Sequence, residues 1–225
     1  MFSFIIINYN TSELTSACLK SIFKYCEPSE FEIILIDNNS KPEDLNLIKN
    51  NFGESVKIIA NDRNLGFAKA NNQGASMAQG DYLFFLNSDT LINSNILEAF
   101  KKNLMTDEGI GIIAPRLVLL SGKEQPYSYS INTKTKEMAW VSGAALAIRK
   151  KIFDTAGGWD EGYFMYFEDV DLCHSVSRLG YKMVRDLSSS IIHLTSGSPI
   201  PFWKRKFYYY RSKLIFILKN YLKLI

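Results

Sequence analysis

Four short apolar runs, at residues 4–7, 33–36, 56–60 and 82–86, are separated by stretches whose apolar residues recur at helical spacing. The runs are too short for core helices and end in polar turn residues, so they read as strands. After the first, Leu14, Ala17, Cys18 and Ile22 form one apolar helical face. After the second, Leu45, Ile48 and Phe52 form another, and residues 66–79 make an Ala-rich helix closed by Gly80. This β-α-β-α-β-α-β order leaves few folds open. Each crossover returns the chain to a parallel strand, and right-handed crossovers place helices on both faces of a mainly parallel sheet. Two capping-box patterns, Asn10 with Glu13 and Ser40 with Glu43, predict helix starts, with Pro42 in the first turn of the second.

The pattern changes after Pro115. Residues 116–140 hold a Ser121-Gly122 turn and then polar, Tyr-rich sequence, which predicts a loop region over the site. Residues 141–148 are apolar and rich in Gly and Ala. Residues 168–179 predict a helix with Leu172, Cys173, Val176 and Leu179 on its buried face and Gly180 at its end. Residues 181–184 and 190–194 predict two short strands, and the chain beyond Pro199 and Pro201 looks helical, aromatic and basic. The expected class is therefore α/β, with one half over 1–115, a smaller half over 116–198 and a helical tail over 199–225. A length of 225 residues suits one large domain or two fused lobes. There is no internal repeat.

Charge is unevenly placed. From Leu187 onward there is no Asp or Glu, and seven Lys and Arg give that stretch +7, so beneath a net charge of +3 the remainder carries −4. Cys18, Cys26 and Cys173 lack metal-ligand spacing and predict reduced, partly buried thiols in a cytosolic protein. The apolar start at 2–7 runs into Asn8-Tyr9-Asn10 without a basic region before it, so no signal peptide is expected, and no apolar stretch approaches the ~20 residues of a membrane span.

The carboxylates fall where the apolar runs stop. Asp37 ends the second run, Asp89 lies just past the fourth, and Glu168-Asp169 follows Tyr163-Phe164-Met165-Tyr166-Phe167. Ligands of open α/β sheets bind in the crevice outside the carboxyl ends of the strands. Asn87-Ser88-Asp89, set before a polar helix start at Asn93-Ser94, reads either as a turn or as a site for Mg²⁺ or Mn²⁺. Glu168, Asp169 and Asp171 at a helix start read either as dipole stabilisation or as a crowded site with a general base. Asp37-Asn38-Asn39-Ser40 and the segment from Asn61 to Phe67 serve turns, or read the edge of a nucleobase. His193 at a strand end is structural or a metal ligand. His174 is given no role. No Gly-x-Gly-x-x-Gly and no P-loop is present.

Taken in order, Ile6-Ile7-Asn8-Tyr9-Asn10, Ile36-Asp37-Asn38-Asn39-Ser40, Asn64-Leu65-Gly66-Phe67 with Asn71-Asn72-Gln73-Gly74, and Leu86-Asn87-Ser88-Asp89-Thr90 form a recognisable series. It continues with Trp140-Val141-Ser142-Gly143-Ala144, Gly157-Gly158-Trp159-Asp160-Glu161 and the segment from Phe164 to Cys173. Over residues 3–197 the chain resembles the family 2 glycosyltransferases with an A-type fold, the bacterial rhamnosyltransferase-like group in particular. The resemblance implies a Rossmann-like nucleotide-binding half fused to an acceptor-binding half. It implies inverting transfer from a nucleotide diphosphate sugar (dTDP-rhamnose-like or UDP-hexose) to a saccharide or lipid-linked saccharide acceptor in surface-polysaccharide assembly.

By that resemblance Asp89 is the main ligand of a divalent metal, Mg²⁺ or Mn²⁺. Asn87 stands where the stricter pattern has a first aspartate, and diphosphate oxygens and His193 complete the shell. Asp37 contacts the nucleobase. Asn10, Asn38 and Arg63, with Asn64, Gly66 and Ser88, hold the donor, and Trp140, Gly143 and Ala144 bound the sugar pocket. Asp169 is the base and Glu168 orients the acceptor. The rivals are a nucleotidyltransferase, which should carry a Gly-rich loop where this chain has Asn8-Tyr9-Asn10-Thr11, and a non-catalytic sugar-nucleotide-binding module, against which Asp89 and Asp169 argue. The tail, lying mostly beyond the resemblance, is an amphipathic helix for an anionic membrane surface, or a helix packed on the body or a second subunit. Its basic residues are confined to one end, so nucleic acid is not an expected partner. The expected location is cytoplasmic, at the inner face of the cell membrane, with homo-oligomerisation open.

Overall fold

A computed structural model of the protein describes residues 1–125, 137–195 and 200–222. The chain runs β1 (Phe2–Asn8), α1 (Ser12–Tyr25), β2 (Phe31–Asp37), α2 (Pro42–Phe52), β3 (Lys57–Ala60), α3 (Phe67–Met77) and β4 (Tyr82–Asn87). It continues with β5 (Thr90–Ile92), α4 (Ile96–Thr106), β6 (Ile110–Val118), β7 (Glu137–Met138), β8 (Ala145–Arg149) and α5 (Lys150–Thr155). Then come α6 (Glu168–Arg178), β9 (Lys182–His193) and α7 (Phe202–Ile217), followed by a π-turn at Leu218–Leu222. The described strands form one sheet in the order β3-β2-β1-β4-β8-β6-β9-β5, with β7 pairing β9. From β3 to β4 every pairing is parallel, as the alternation predicts. Past β4 the sheet is mixed, with β8 antiparallel to both β4 and β6 and β6 parallel to β9.

The apolar runs lack polar alternation because both faces of their strands are covered. Phe4 and Ile6 point into one core with Ile33, Leu35 and helices α1 and α4, while Ile5, Ile34 and Ile36 point into the other with α3 and α6. α3 lies so close that a Cβ on Gly74 would come within 2.5 Å of Ile5 Cγ2, which explains its small-residue face. The three cysteines are free and buried, and burial pushes each thiol up to about 12. Among the described residues no helix is long and apolar enough to cross a membrane.

Several local expectations are corrected. Neither capping box forms. The N-cap residues of α1 and α2 are Thr11 and Lys41, without side-chain caps. Asn10 instead takes a left-handed conformation (φ 53°) and accepts a bond from Lys41 N at 2.8 Å, while Ser40 Oγ accepts from Asn10 N at 2.9 Å. The polar groups join two loops rather than cap two helices. The two strands expected at 181–184 and 190–194 are one strand, β9, with a register shift where Pro115 pairs with Asp186 and Arg116 with Ser190. That irregularity also lets Pro115, which has no N–H, sit inside β6. Leu179 caps α6 and is exposed rather than buried. The loop expected at 116–140 begins inside β6 and contains β7, and its residues 126–136 lie outside the described residues. A short strand, β5, stands between Asp89 and α4, which starts at Ile96 rather than at Asn93.

Candidate active site

The carboxyl ends of β1, β2 and β4 form the floor of the site. Asn8, fully buried at the end of β1, is its hub. Its amide donates to Asp37 Oδ1 at 2.8 Å and Ser40 Oγ at 3.0 Å, and its carbonyl accepts from Thr15 at 2.7 Å and Thr11 at 3.2 Å. Asp37 is 1% exposed, and its second oxygen accepts Ser40 N at 3.0 Å. Both oxygens of Asp37 are thus tied to the floor, at the edge of the cavity that its neighbour Asn38 lines. Asn38 clamps the next loop. Its amide donates to Asn64 Oδ1 at 2.9 Å and Gly66 O at 3.3 Å, and its carbonyl accepts Leu65 N at 2.9 Å. Gly66 has φ +82°, and a Cβ there would lie 2.6 Å from Phe164 O, the same oxygen that accepts Phe67 N at 2.7 Å. This glycine fastens the front of α3 to the segment that leads into α6.

Above the floor lies a cavity of about 190 Å³. Thr11, Asn38, Asn64, Asn71, Ser88 and Asp89 give it a polar wall, and Ile7, Phe67, Phe164 and Met165 an apolar one. Its volume is below the range that encloses a drug-sized ligand, so a larger ligand would extend into the open groove.

Asp89 sits in the turn between β4 and β5. The pairing of Thr90 with His193 brings His193 beside it, with Nε2 3.3 Å from Asp89 Oδ1 and both side chains mostly buried. His193 Nδ1 lies 2.8 Å from Gln125 Oε1. With its proton on Nδ1 the ring would donate to Gln125 and turn the Nε2 lone pair toward the carboxylate, and with a proton on Nε2 it would donate to Asp89. In the first of these tautomers Asp89 and His193 present the carboxylate and imidazole donors that a shared divalent cation would need. Among the described residues no group of three or more His, Cys, Asp or Glu surrounds the spot. A hard cation held here therefore draws further ligands from water and substrate.

Asp169 lies at the start of α6, after two aromatic residues in left-handed conformation, Tyr166 (φ 69°) and Phe167 (φ 68°). Such strain in bulky residues persists where the surroundings impose it, and it concentrates at functional sites. Asp169 Oδ2 accepts Gly143 N at 3.0 Å and Oδ1 accepts Val170 N at 2.9 Å. A Cβ on Gly143 would touch both Phe67, on the cavity wall, and Asp169 Cβ, at 3.3 and 3.4 Å. Asn87 N donates to Ala144 O at 2.9 Å, so the 143–144 segment bridges the Asp89 turn and Asp169. Burial raises the Asp169 carboxyl above its ordinary range, and the Gly143 and Val170 N–H groups partly offset this. Glu168 is buried, with Oε2 unpartnered, and burial followed by the charge of Asp169 pushes it well up.

Residues 3–171 match the family described as glycosyl transferase family 2, which is most of the chain. The chain belongs to this family. It is similar to the O-antigen biosynthesis protein RfbC of Myxococcus xanthus, at 23% identity over 83% of this chain and 16% of that protein. It is also similar to the N-acetylglucosaminyl-diphospho-decaprenol L-rhamnosyltransferase of Mycobacterium tuberculosis, at 40% identity over 26% of this chain and 19% of that protein. Among solved structures, GalNAc-T7 with UDP, GalNAc and Mn²⁺ superposes with a TM-score of 0.73, at 20% identity, over 86% of this chain and 44% of that one. That likeness establishes the A-type glycosyltransferase fold. The chain spans less than a fifth of the length of the two curated relatives named here.

Within this family 2 fold, the residues expected to act together are placed unequally. Asn38, Asn64, Gly66, Ser88 and Asp89 line the cavity. His193, Gly143 and Asp169 adjoin residues that line it. Asn10 stitches two loops, Arg63 is exposed away from the lining, Trp140 packs half-buried against the core, and Glu168 is not in the lining. The sequence reading missed Tyr9, Thr11, Phe67, Phe164, Met165 and Ile200 as lining residues. It also missed Asn71, which lines the cavity at 2% exposure with an Nδ2 that has no partner. An amide on the otherwise Ala- and Gly-lined buried face of α3 was the available signal.

Proposed function

We propose that this chain works as an inverting, metal-dependent glycosyltransferase, moving a sugar from a nucleotide diphosphate sugar to an acceptor hydroxyl in surface-polysaccharide assembly. A dTDP-rhamnose-like donor is favoured and a UDP-hexose is second. The acceptor is a saccharide or lipid-linked saccharide. One observation carries the reading: Asp89, paired with His193, lines the cavity whose Phe67 wall adjoins Gly143 and Asp169. The names of these two relatives support the donor class and the biosynthetic setting. On this reading the half before residue 115 holds the donor and residues 116–198 hold the acceptor. The reaction takes place in the cytoplasm, at the inner face of the membrane.

Thr11, Asn38, Asn64, Asn71 and Ser88 offer hydroxyl and amide groups to the donor along the cavity. Asp89 and His193 would hold Mg²⁺ or Mn²⁺, which when bound neutralises charge on the departing diphosphate. Asp169 takes the acceptor hydroxyl proton as that oxygen bonds to the anomeric carbon and the carbon–diphosphate bond breaks. The transition state is oxocarbenium-like, and a single displacement inverts the configuration. Phe67, Phe164 and Met165 keep water from the reacting carbon.

The test is a thermal-shift screen of dTDP-, UDP- and GDP-sugars with Mg²⁺ or Mn²⁺. A shift for one base class that disappears in chelator and in Asp89→Ala is expected. A shift and transfer rate unchanged in both would contradict the metal assignment.

A further inference from the structure

α7 and the turn after it carry two unlike faces. Tyr208, Ser212, Phe216 and Lys219 meet the body. Tyr208 stacks on Phe164 at 4.6 Å, Ser212 Oγ donates to Met165 O at 2.9 Å, and Phe216 packs on Phe167 at 5.7 Å. Lys219 Nζ reaches Asp160 at 2.6 Å and Asp171 at 2.8 Å. On the opposite side Trp203, Phe207, Tyr210, Leu214 and Ile217 follow one another at intervals of four, three, four and three residues. At α-helical pitch these five fall within a stripe about 80° wide. They are 36 to 66% exposed, and Tyr221 in the π-turn is 73% exposed.

The stripe has basic edges. On the same helical geometry Lys206 and Lys213 lie along one side of it, and Lys204 along the other with Arg211, which also donates to Gly162 O of the body at 3.1 Å. Lys204 Nζ stands 5.4 Å from the Trp203 ring and Lys206 Nζ 4.9 Å from the Phe202 ring, so the ammonium groups sit level with the aromatic rings. No acid occurs from Leu187 onward to pair with them.

We propose that this face of α7 docks on an anionic lipid bilayer, with the helix lying in the headgroup plane, the aromatic stripe directed into the acyl boundary and both basic edges on lipid phosphates. A second copy of the chain is a poor occupant. Two such stripes laid together would set Lys and Arg edges against each other with no carboxylate from either helix between them. The docked helix also fixes the catalytic cavity. Its inner face holds Phe164 and Met165, and Ile200, just before it, lines the cavity too. The cavity mouth is thereby carried to the membrane surface. This last step rests on the glycosyltransferase reading, since it places a lipid-linked acceptor there. The docking itself does not.

The experiment is co-sedimentation of the full chain with vesicles of phosphatidylcholine alone and of phosphatidylcholine with one-third phosphatidylglycerol, at low and high salt. Binding to the anionic vesicles alone, weakened by salt, is expected. Partitioning should fall by about tenfold or more in a Trp203→Ser, Phe207→Ser, Leu214→Ser variant, whose circular dichroism should match the parent because these side chains face solvent. A second variant, Lys204→Glu, Lys206→Glu and Lys213→Glu, should lose binding with the stripe intact. Equal binding to both vesicle types, no binding to either, or unchanged partitioning in both variants would overturn the proposal. So would a dimer in sedimentation velocity that the Ser variant dissociates. Vesicle binding is read without turnover, so failure of glycosyl transfer leaves it standing.

Discussion

Asp37 and Asp89 both end or follow a parallel strand, yet only one of them faces the cavity. The difference lies in their neighbours. Asp37 bonds Asn8 and the Ser40 turn through its two oxygens, while Asp89 meets His193 across a strand pair. The family resemblance had already named Asp89 and His193 together, whereas no local pattern announced the bonds that tie Asp37 into the floor. Asn71 offers a direct check on the wall. Its unpartnered amide costs the free protein nothing to lose, so Asn71→Ala should leave the melting temperature unchanged and weaken donor affinity about tenfold, the worth of one hydrogen bond. Titration calorimetry reads the affinity. Glu168 makes a pH-dependent prediction. Its folded carboxyl is raised well above 4.5, so the folded state holds a proton that the unfolded state releases. Stability present at low pH is therefore lost as pH rises from the ordinary carboxylate range through the raised value. Glu168→Gln removes that loss, so its melting temperature should match the parent in acid and exceed it at pH 8.

At the level of elements, the chain announced what depends on periodicity and hid what depends on partners. β1 to β4, α1 to α3 and α6 follow from apolar spacing, because each buries a face in the cores on either side of a continuous sheet. The capping boxes failed because Asn10 and Ser40 found loop partners instead. β9 looked like two strands because its middle lies at a register shift opposite Pro115 and exposes Leu187. The connection between α3 and the segment leading to α6 turns on Gly66. A side chain there would meet Phe164 O and an unfavourable φ together, so Gly66→Ala should cost ~1–3 kcal/mol in chemical denaturation and reduce donor affinity as well.

On the scale of the molecule, a parallel half and a mixed half share one sheet, and the cavity opens at the carboxyl ends of β1, β2 and β4. The fold class and the family were legible because motif order along the chain encodes them. The second half's strand pairings were not, because antiparallel and parallel neighbours such as β8 and β9 are chosen by long-range contacts. The two acids on which the proposed chemistry rests lie far apart in the chain, and the Asn87–Ala144 and Gly143–Asp169 bonds join the segments that carry them. Asp169 therefore provides the sharpest test. In Asp169→Asn, transfer rate and donor dissociation constant should be measured on the same preparation. The account predicts that the rate falls by roughly 10²–10⁴ with donor affinity nearly unchanged. A variant that keeps its rate, or loses rate and affinity to the same degree, would contradict it.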